Sequence, residues 1–172
     1  KFSPQKRDLS DIILKILSIF KETSDKKDIS INFTQVGNSN AFFDKDLLDI
    51  IIRNLLSNAV KYTPRGGRIS ILLKDKTMND EVIMLKICDN GVGIPETKQK
   101  YLFTATEVES TPGTENEKGT GLGLKLCYEL VKINRGTITV DSKIGEGTCF
   151  IICLPMVKGS VLPANEEKVS QS

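Results

Sequence analysis

KICDNGVGIP, residues 86–95, closes an apolar run that starts at Val82. The run ends in one carboxylate, Asp89, and Gly91, Gly93 and Pro95 follow directly. Its length and its Asn-Gly boundary read as a strand over 82–88. An ionised carboxylate only accepts hydrogen bonds. At a strand end, Asp89 can receive an exocyclic amine such as that of adenine, and Gly91 and Gly93 let a base approach the backbone closely. Read alone, the same residues are an ordinary Asn-Gly turn.

Working outward, Ile69, Ile71 and Leu73 alternate, so 68–74 is a strand that pairs with 82–88 across the turn KTMND, 76–80. Residues 137–142 and 148–154 form a second hairpin, turned by KIGEG, 143–147. Ile29, Ile31 and Phe33 alternate in a further strand. Leu9, Ile12, Ile13, Ile16, Leu17 and Phe20 recur at helical spacing over 8–20, and a polar turn follows at 23–28. Asp44 is an N-cap for a long second helix that reaches Tyr62, where TPRGG stops it. A third helix runs from near Thr120 to Asn134. Between these lie residues 98–118, a long loop with a helical turn near 101–103. Its few apolar anchors predict that it is not ordered by itself. The element order predicts an α/β (α+β) two-layer sandwich, with a sheet of about five strands and three helices on one face. The tail from Val157 is polar and reads as loose.

The 172 residues are 39% hydrophobic and 27% charged, enough for one core. A net charge of +2 gives no electrostatic case for nucleic acid. No apolar run approaches the about 18 residues that cross a bilayer. Cys88, Cys127, Cys149 and Cys153 form no CxxC pair, and the chain has no histidine, so a zinc site would have to be all-Cys, which the spacing does not support, and a His-activated nucleophile is excluded. The cysteines read as small, reduced core residues of a cytoplasmic protein.

Two further segments carry chemistry. In GTGLGL, Gly119, Thr120, Gly121, Leu122 and Gly123 lead into the third helix. A glycine-rich helix start offers unpaired N–H groups and a positive dipole end to phosphate, although the spacing is neither GxGxxG nor a Walker motif, and a flexible helix start is a comparable reading. In NLLSNAVKY, Asn54, Asn58, Lys61 and Tyr62 share one helical stripe opposite a buried side. Asn58 offers an amide oxygen to Mg²⁺, Lys61 a charge to phosphate, and Tyr62 a ring to the base or ribose. A solvated helix face has the same pattern.

Taken in order, the three segments resemble the N, G1 and G2 boxes of the nucleotide-binding domain of sensor histidine kinases. That family belongs to the superfamily of Hsp90-type chaperones, MutL and type II topoisomerases. The boxes are NLLSNAVKYTP, DNGVGIP and GTGLGL, and GEGTCF at 145–150 resembles the closing strand. The resemblance covers about 8–155 and implies a Bergerat-type fold with a mixed sheet. It implies ATP and Mg²⁺ as ligands. Asp89 would hold the adenine amine, with Thr148 joining through water and Gly91, Gly93 and Ile94 close by. Asn58 would ligate Mg²⁺. Asn54, Lys61 and the segment from Gly119 to Gly123 would meet the phosphates, and 98–118 would be the ATP lid. Asn54 and Lys61 would be the catalytic pair. The related ATPases carry a Glu at the position of Asn54, and a neutral amide is a poor base, which favours transfer to an outside acceptor over hydrolysis.

Further implications concern organisation and partners. Residues 1–7 would connect to a missing dimerisation domain that bears the acceptor histidine, 8–157 would be the kinase domain, and 158–172 a linker or tail. A response regulator receiver domain would take the phosphate onward. The fragment would be monomeric and cytoplasmic, inserting in no membrane, and the parent a homodimer. The sequence departs from the family at LFTATEVES, where Phe103 supplies the first aromatic of the F box and the second is absent. The usual nearby Arg is also missing, and Lys118 is the substitute candidate. Arg135 replaces one of two glycines common after the third helix. Two other readings stay open: an ATPase of chaperone or MutL type, and a nucleotide-binding module that only docks.

Overall fold

Alternation in the sequence becomes burial in the computed structural model, which describes residues 2–76, 81–104, 111–119, 121–160 and 162. Ile69, Ile71 and Leu73 of β4 (Arg68–Lys76) point into the core. Beside them lie Ile83, Leu85 and Ile87 of β5 (Val82–Asp89) and Phe150, Ile152 and Leu154 of β7 (Gly147–Pro155). With β2 (Ser30–Val36) and β6 (Thr137–Lys143), these strands form one five-stranded sheet of order β2-β4-β5-β7-β6. The pair β2–β4 is parallel and the others antiparallel, so the sheet is mixed.

Three helices cover the inner face: α1 (Leu9–Lys26), α2 (Lys45–Tyr62) and α4 (Gly123–Ile133). Leu48, Ile51, Ile52, Leu55 and Leu56 put the apolar side of α2 at the centre of the core. The expected two-layer sandwich is therefore the observed one. Asp44 caps α2, accepting from the Asp46 and Leu47 N–H groups at 3.1 and 3.3 Å. Its own N–H donates to Asn134 Oδ1 at 2.7 Å, while Asn134 Nδ2 donates to Leu130 O at 3.0 Å. One buried amide thus ties the start of α2 to the end of α4. Arg135 then takes φ +59°, the left-handed conformation that a glycine would reach without strain.

Several sequence expectations need correction. The first helix runs on through Lys26 instead of ending at Phe20. Its last turns are polar but helical, with Lys21–Asp25 and Glu22–Lys26 ion pairs at 2.9 and 2.6 Å. The turn expected at 23–28 shrinks to the residues around Asp28, which has φ +51°. Two short strands were not foreseen: β1 (Gln5–Asp8) and β3 (Asn40–Phe43) pair antiparallel, so part of the expected connector is structured. A four-residue helix, α3 (Glu96–Gln99), follows Pro95. The third long helix starts at Gly123, because Gly121 takes φ +72° before it. Thr120, Thr77 to Asp80 of the KTMND turn, 105–110 of the lid and most of the tail lie outside the described residues.

The cysteines are corrected too. Cys88 and Cys149 face each other across β5 and β7 and are joined in a disulfide. Cys127 is a buried thiol and Cys153 a half-buried one. Position in an apolar run hid the pair, because only the strand register brings the two together.

Candidate functional site

The ends of β5 and β7 form the floor of a cavity of about 710 Å³. Asp89 stands opposite Thr148 in the strand register, and both line the cavity. Asp89 Oδ1 accepts the Gly91 N–H at 2.8 Å. Burial raises the Asp89 pKa above its ordinary 3.8, against the pull of the Gly91 and Thr148 N–H groups. Gly91 itself lies under the wall: a Cβ there would overlap the Tyr62 carbonyl oxygen.

The rest of the DNGVGIP loop is pinned to the β6–β7 turn. Gly93 has φ +74°, and a Cβ on it would overlap the Lys143 carbonyl oxygen. The Ile94 N–H donates to Ser142 Oγ at 2.8 Å. Ser142 Oγ lies 2.9 Å from Gly147 O and 2.7 Å from Thr148 Oγ1. A hydroxyl has one proton to give. With Ser142 donating to Gly147 O, Thr148 donates to Ser142 and keeps its lone pairs for the cavity. Gln99 Nε2 bridges Ile94 O and Ser142 O, each at 2.8 Å. Sequence reading missed Ser142 and Gln99, since neither sits in a motif.

One wall is the stripe of α2. Asn54, Asn58, Lys61 and Tyr62 all line the cavity. Asn54 Nδ2 donates to Ile50 O at 2.9 Å, and its Oδ1 lies 2.9 Å from where a Cβ on Gly123 would stand. The facing wall is the start of α4, with Lys118, Gly119, Gly121 and Gly123 in the lining. Asp8 and Asp44 cap α1 and α2, but α4 has no side-chain cap. Leu122, at its N-cap position, is 58% exposed and is not a lining residue.

Tyr101 and Leu102 close the cavity near α3, and Thr111 and Pro112 close it from the segment that precedes α4. Phe103 stacks on Tyr128 with ring centroids 5.5 Å apart and meets Phe150 edge-on at 6.5 Å. The described residues 111–119 make polar bonds to the end of α2, among them Tyr62 Oη to Thr111 O at 3.0 Å.

Charge is distributed unevenly. The described lining holds three ammonium groups, on Lys61, Lys98 and Lys118, and one carboxylate, Asp89. A polyanion with a neutral aromatic end fits that arrangement. Among the described residues, no cluster of three His, Cys, Asp or Glu residues is placed to hold a metal ion. The amide oxygen of Asn58 is a hard donor suited to Mg²⁺ that keeps waters and phosphate oxygens as its other ligands.

Residues 43–158, from the last residue of β3 to just past β7, match the family of histidine kinase-, DNA gyrase B- and HSP90-like ATPases. The chain belongs to this family. It is thus an ATP-binding domain of the histidine kinase-, gyrase B- and HSP90-like ATPases, as the order of the boxes implied. It is similar to the adaptive-response sensory kinase SasA of Rippkaea orientalis, with 38% identity over 151 residues, 86% of this chain and 36% of that protein. This chain therefore spans about a third of the length of that relative. Among solved structures it resembles the mycobacterial sensor histidine kinase MprB, at 26% identity and a TM-score of 0.73, over 90% of this chain and 97% of that one. It also shares its fold with the histidine kinase ThkA, solved in complex with the response regulator TrrA. That likeness has 21% identity and a TM-score of 0.74, covering 91% of this chain and 42% of the other.

Proposed function

We propose that this chain is the ATP-binding catalytic domain of a two-component sensor histidine kinase. It would donate the γ-phosphate of ATP to a histidine on a separate dimerisation domain. The observation that carries this over a hydrolytic ATPase is the place of the cavity's one described carboxylate. Asp89 sits at the strand end, bonded to the Gly91 N–H, while the position facing α4 is a neutral amide, Asn54. No described acid in the lining stands near the helix start to take a proton from water.

In this reading Asp89 accepts the adenine amine, and Thr148 adds an acceptor through water. Gly93 and Ile94 let the base lie against backbone, and Tyr62 flanks it. Lys61, Lys118 and the amides from Gly119 to Gly123 hold the phosphates, with Lys118 standing in for the absent arginine. Asn58 would hold Mg²⁺, which supplies charge neutralisation at the phosphate oxygens. Asn54 would help position the terminal phosphate for in-line attack by an imidazole from outside, since this chain has none. Residues 8–157 would form the kinase domain with its lid at 98–118, joined through 1–7 to the dimerisation domain and continued by 158–172. A receiver domain of a response regulator would be the onward acceptor. The parent would be a homodimer with this domain in the cytoplasm, where reducing thiols would open the Cys88–Cys149 pair. No described helix is long and apolar enough to cross a membrane.

Incubating the chain with radiolabelled Mg-ATP and a histidine-bearing dimerisation domain tests the proposal. Acid-labile, alkali-stable label should appear on the added domain, with slow turnover when it is left out. Rapid phosphate release without an acceptor would favour an ATPase, and binding without transfer would favour a docking module.

Asp89 gives this reading a proton signature. Its folded pKa is raised by burial, so between 3.8 and the raised value the folded protein holds a proton that the unfolded chain releases. Its charge therefore costs stability, and that cost grows as pH rises through this window. An amine donor favours the charged form and returns the pKa downward, so binding in mildly acid solution should release a proton. Calorimetry in buffers of different ionisation enthalpy should show this release in the acid window and lose it at neutral pH.

A further inference from the structure

The last turn of α2 leaves four carbonyls without helical partners, and each finds one elsewhere. Thr63 O accepts from Thr114 Oγ1 at 3.1 Å. Tyr62 O accepts from the Val92 N–H at 3.2 Å. Val60 O and Lys61 O both accept from Lys27 Nζ, at 2.9 and 3.1 Å, and Lys61 O also takes the Thr114 N–H at 3.0 Å. The Lys27 side chain, from the end of α1, is only 5% exposed. Its third bond goes to Glu117 Oε1 at 2.7 Å.

Glu117 organises the lid's second limb. Its Oε2 accepts the Glu115 N–H at 2.8 Å, and its carbonyl accepts the Gly113 N–H at 3.0 Å. Gly113 lets this turn lie on the end of α2, since a Cβ would overlap Glu117 Oε2 and stand 2.6 Å from Lys61 Cγ. Arg65 bridges the same pieces on the outside, reaching Lys26 O at 2.9 Å and Glu115 at 3.1 Å. A buried ammonium needs a counter-charge as well as hydrogen bonds, and Glu117 supplies it. Burial works against the Glu117 charge. The Lys27 bond and nearby backbone donors outweigh burial and hold its carboxyl below the ordinary 4.5.

Lys118 and Gly119, the next residues, line the cavity, whereas Lys27 and Glu117 do not. We propose that Lys27 and Glu117 are a positioning pair. They join the ends of α1 and α2 to the lid, so that Lys118 and Gly119 face the phosphates. The pair acts on the ATP site proposed above and rests on that reading.

Calorimetric titration of Glu117→Gln with Mg-ATP and with adenosine separates this role from general stability, because adenosine reaches only the floor. Mg-ATP affinity should fall about five- to tenfold, adenosine affinity should stay at the parent value, and amide exchange over 111–119 should quicken. Lys27→Met should show the same selective loss together with a lower Tm, since it also removes the ammonium donor from Val60 O and one of the donors from Lys61 O. Equal weakening of both ligands by Glu117→Gln, or unchanged Mg-ATP affinity, would overturn the pair. A parent protein that binds neither ligand would overturn the ATP-site reading itself, and the pair with it.

Discussion

Asp89→Asn should weaken ATP binding by about ten- to a hundredfold while leaving the fold intact. Asp89 Oδ1 is engaged by the Gly91 N–H at 2.8 Å, and the residue lines the cavity beside Thr148. An asparagine can keep one acceptor oxygen, but it then turns an NH₂ toward the other partner. It must abandon either the loop amide or the adenine amine. A lost hydrogen bond to a charged group costs about 1.5–3 kcal/mol, which is roughly that range in affinity. The sign on stability runs the other way. Burial already disfavours the carboxylate charge, so the neutral variant should unfold at the same or a higher temperature without nucleotide. Calorimetric titration beside a thermal melt separates the two effects. Full ATP affinity in Asp89→Asn would place the adenine elsewhere.

Gly91→Ala is expected to damage both stability and binding. The new Cβ would overlap the Tyr62 carbonyl oxygen and stand 2.8 Å from Asp89 Oδ1. Tyr62 O belongs to the end of α2 and is held by the Val92 N–H at 3.2 Å, so it is not free to give way. The loop must lift from the helix and carry Asp89 with it. Overpacking of this kind costs about 1–3 kcal/mol, and a displaced carboxylate should lower ATP affinity at least about tenfold. Gly66→Ala is the control. Gly66 takes φ +80° with nothing within 4 Å of a Cβ, so it should cost about 1–2 kcal/mol of backbone strain and leave affinity alone. Denaturant melts and titrations of the two variants, side by side, distinguish close packing from strain.

The main sheet and long helices were legible because their signals are local. Ile69, Ile71 and Leu73 alternate within a few residues, and the stripe of α2 repeats within one helix. The pairing of β1 with β3 was not, because neither four-residue strand has a period and their register joins residues 5–8 to 40–43. The end of α1 was misread because its final turns are polar, carrying exposed i,i+4 ion pairs and no apolar stripe to mark them as helix. At the site, Asp89, the glycines and the amides of α2 stood out because close approach and fixed charge need particular residue types. Ser142, Gln99, Lys27 and Glu117 did not. Each is an ordinary polar residue, and what it does depends on which distant backbone the fold brings to it.

In its oxidised state, the join between Cys88 and Cys149 has a consequence for the chain as a covalent object. The two cysteines are 61 residues apart, and the DNGVGIP loop, α3, the lid and α4 all fall between them. The lid is therefore an excursion from a closed ring, and the entropy of bringing its base together depends on the ring more than on the distant termini. A nick anywhere in the lid would leave one molecule, not two. Its halves would stay linked beside the floor of the cavity, with Asp89 on one fragment and Thr148 on the other still facing each other.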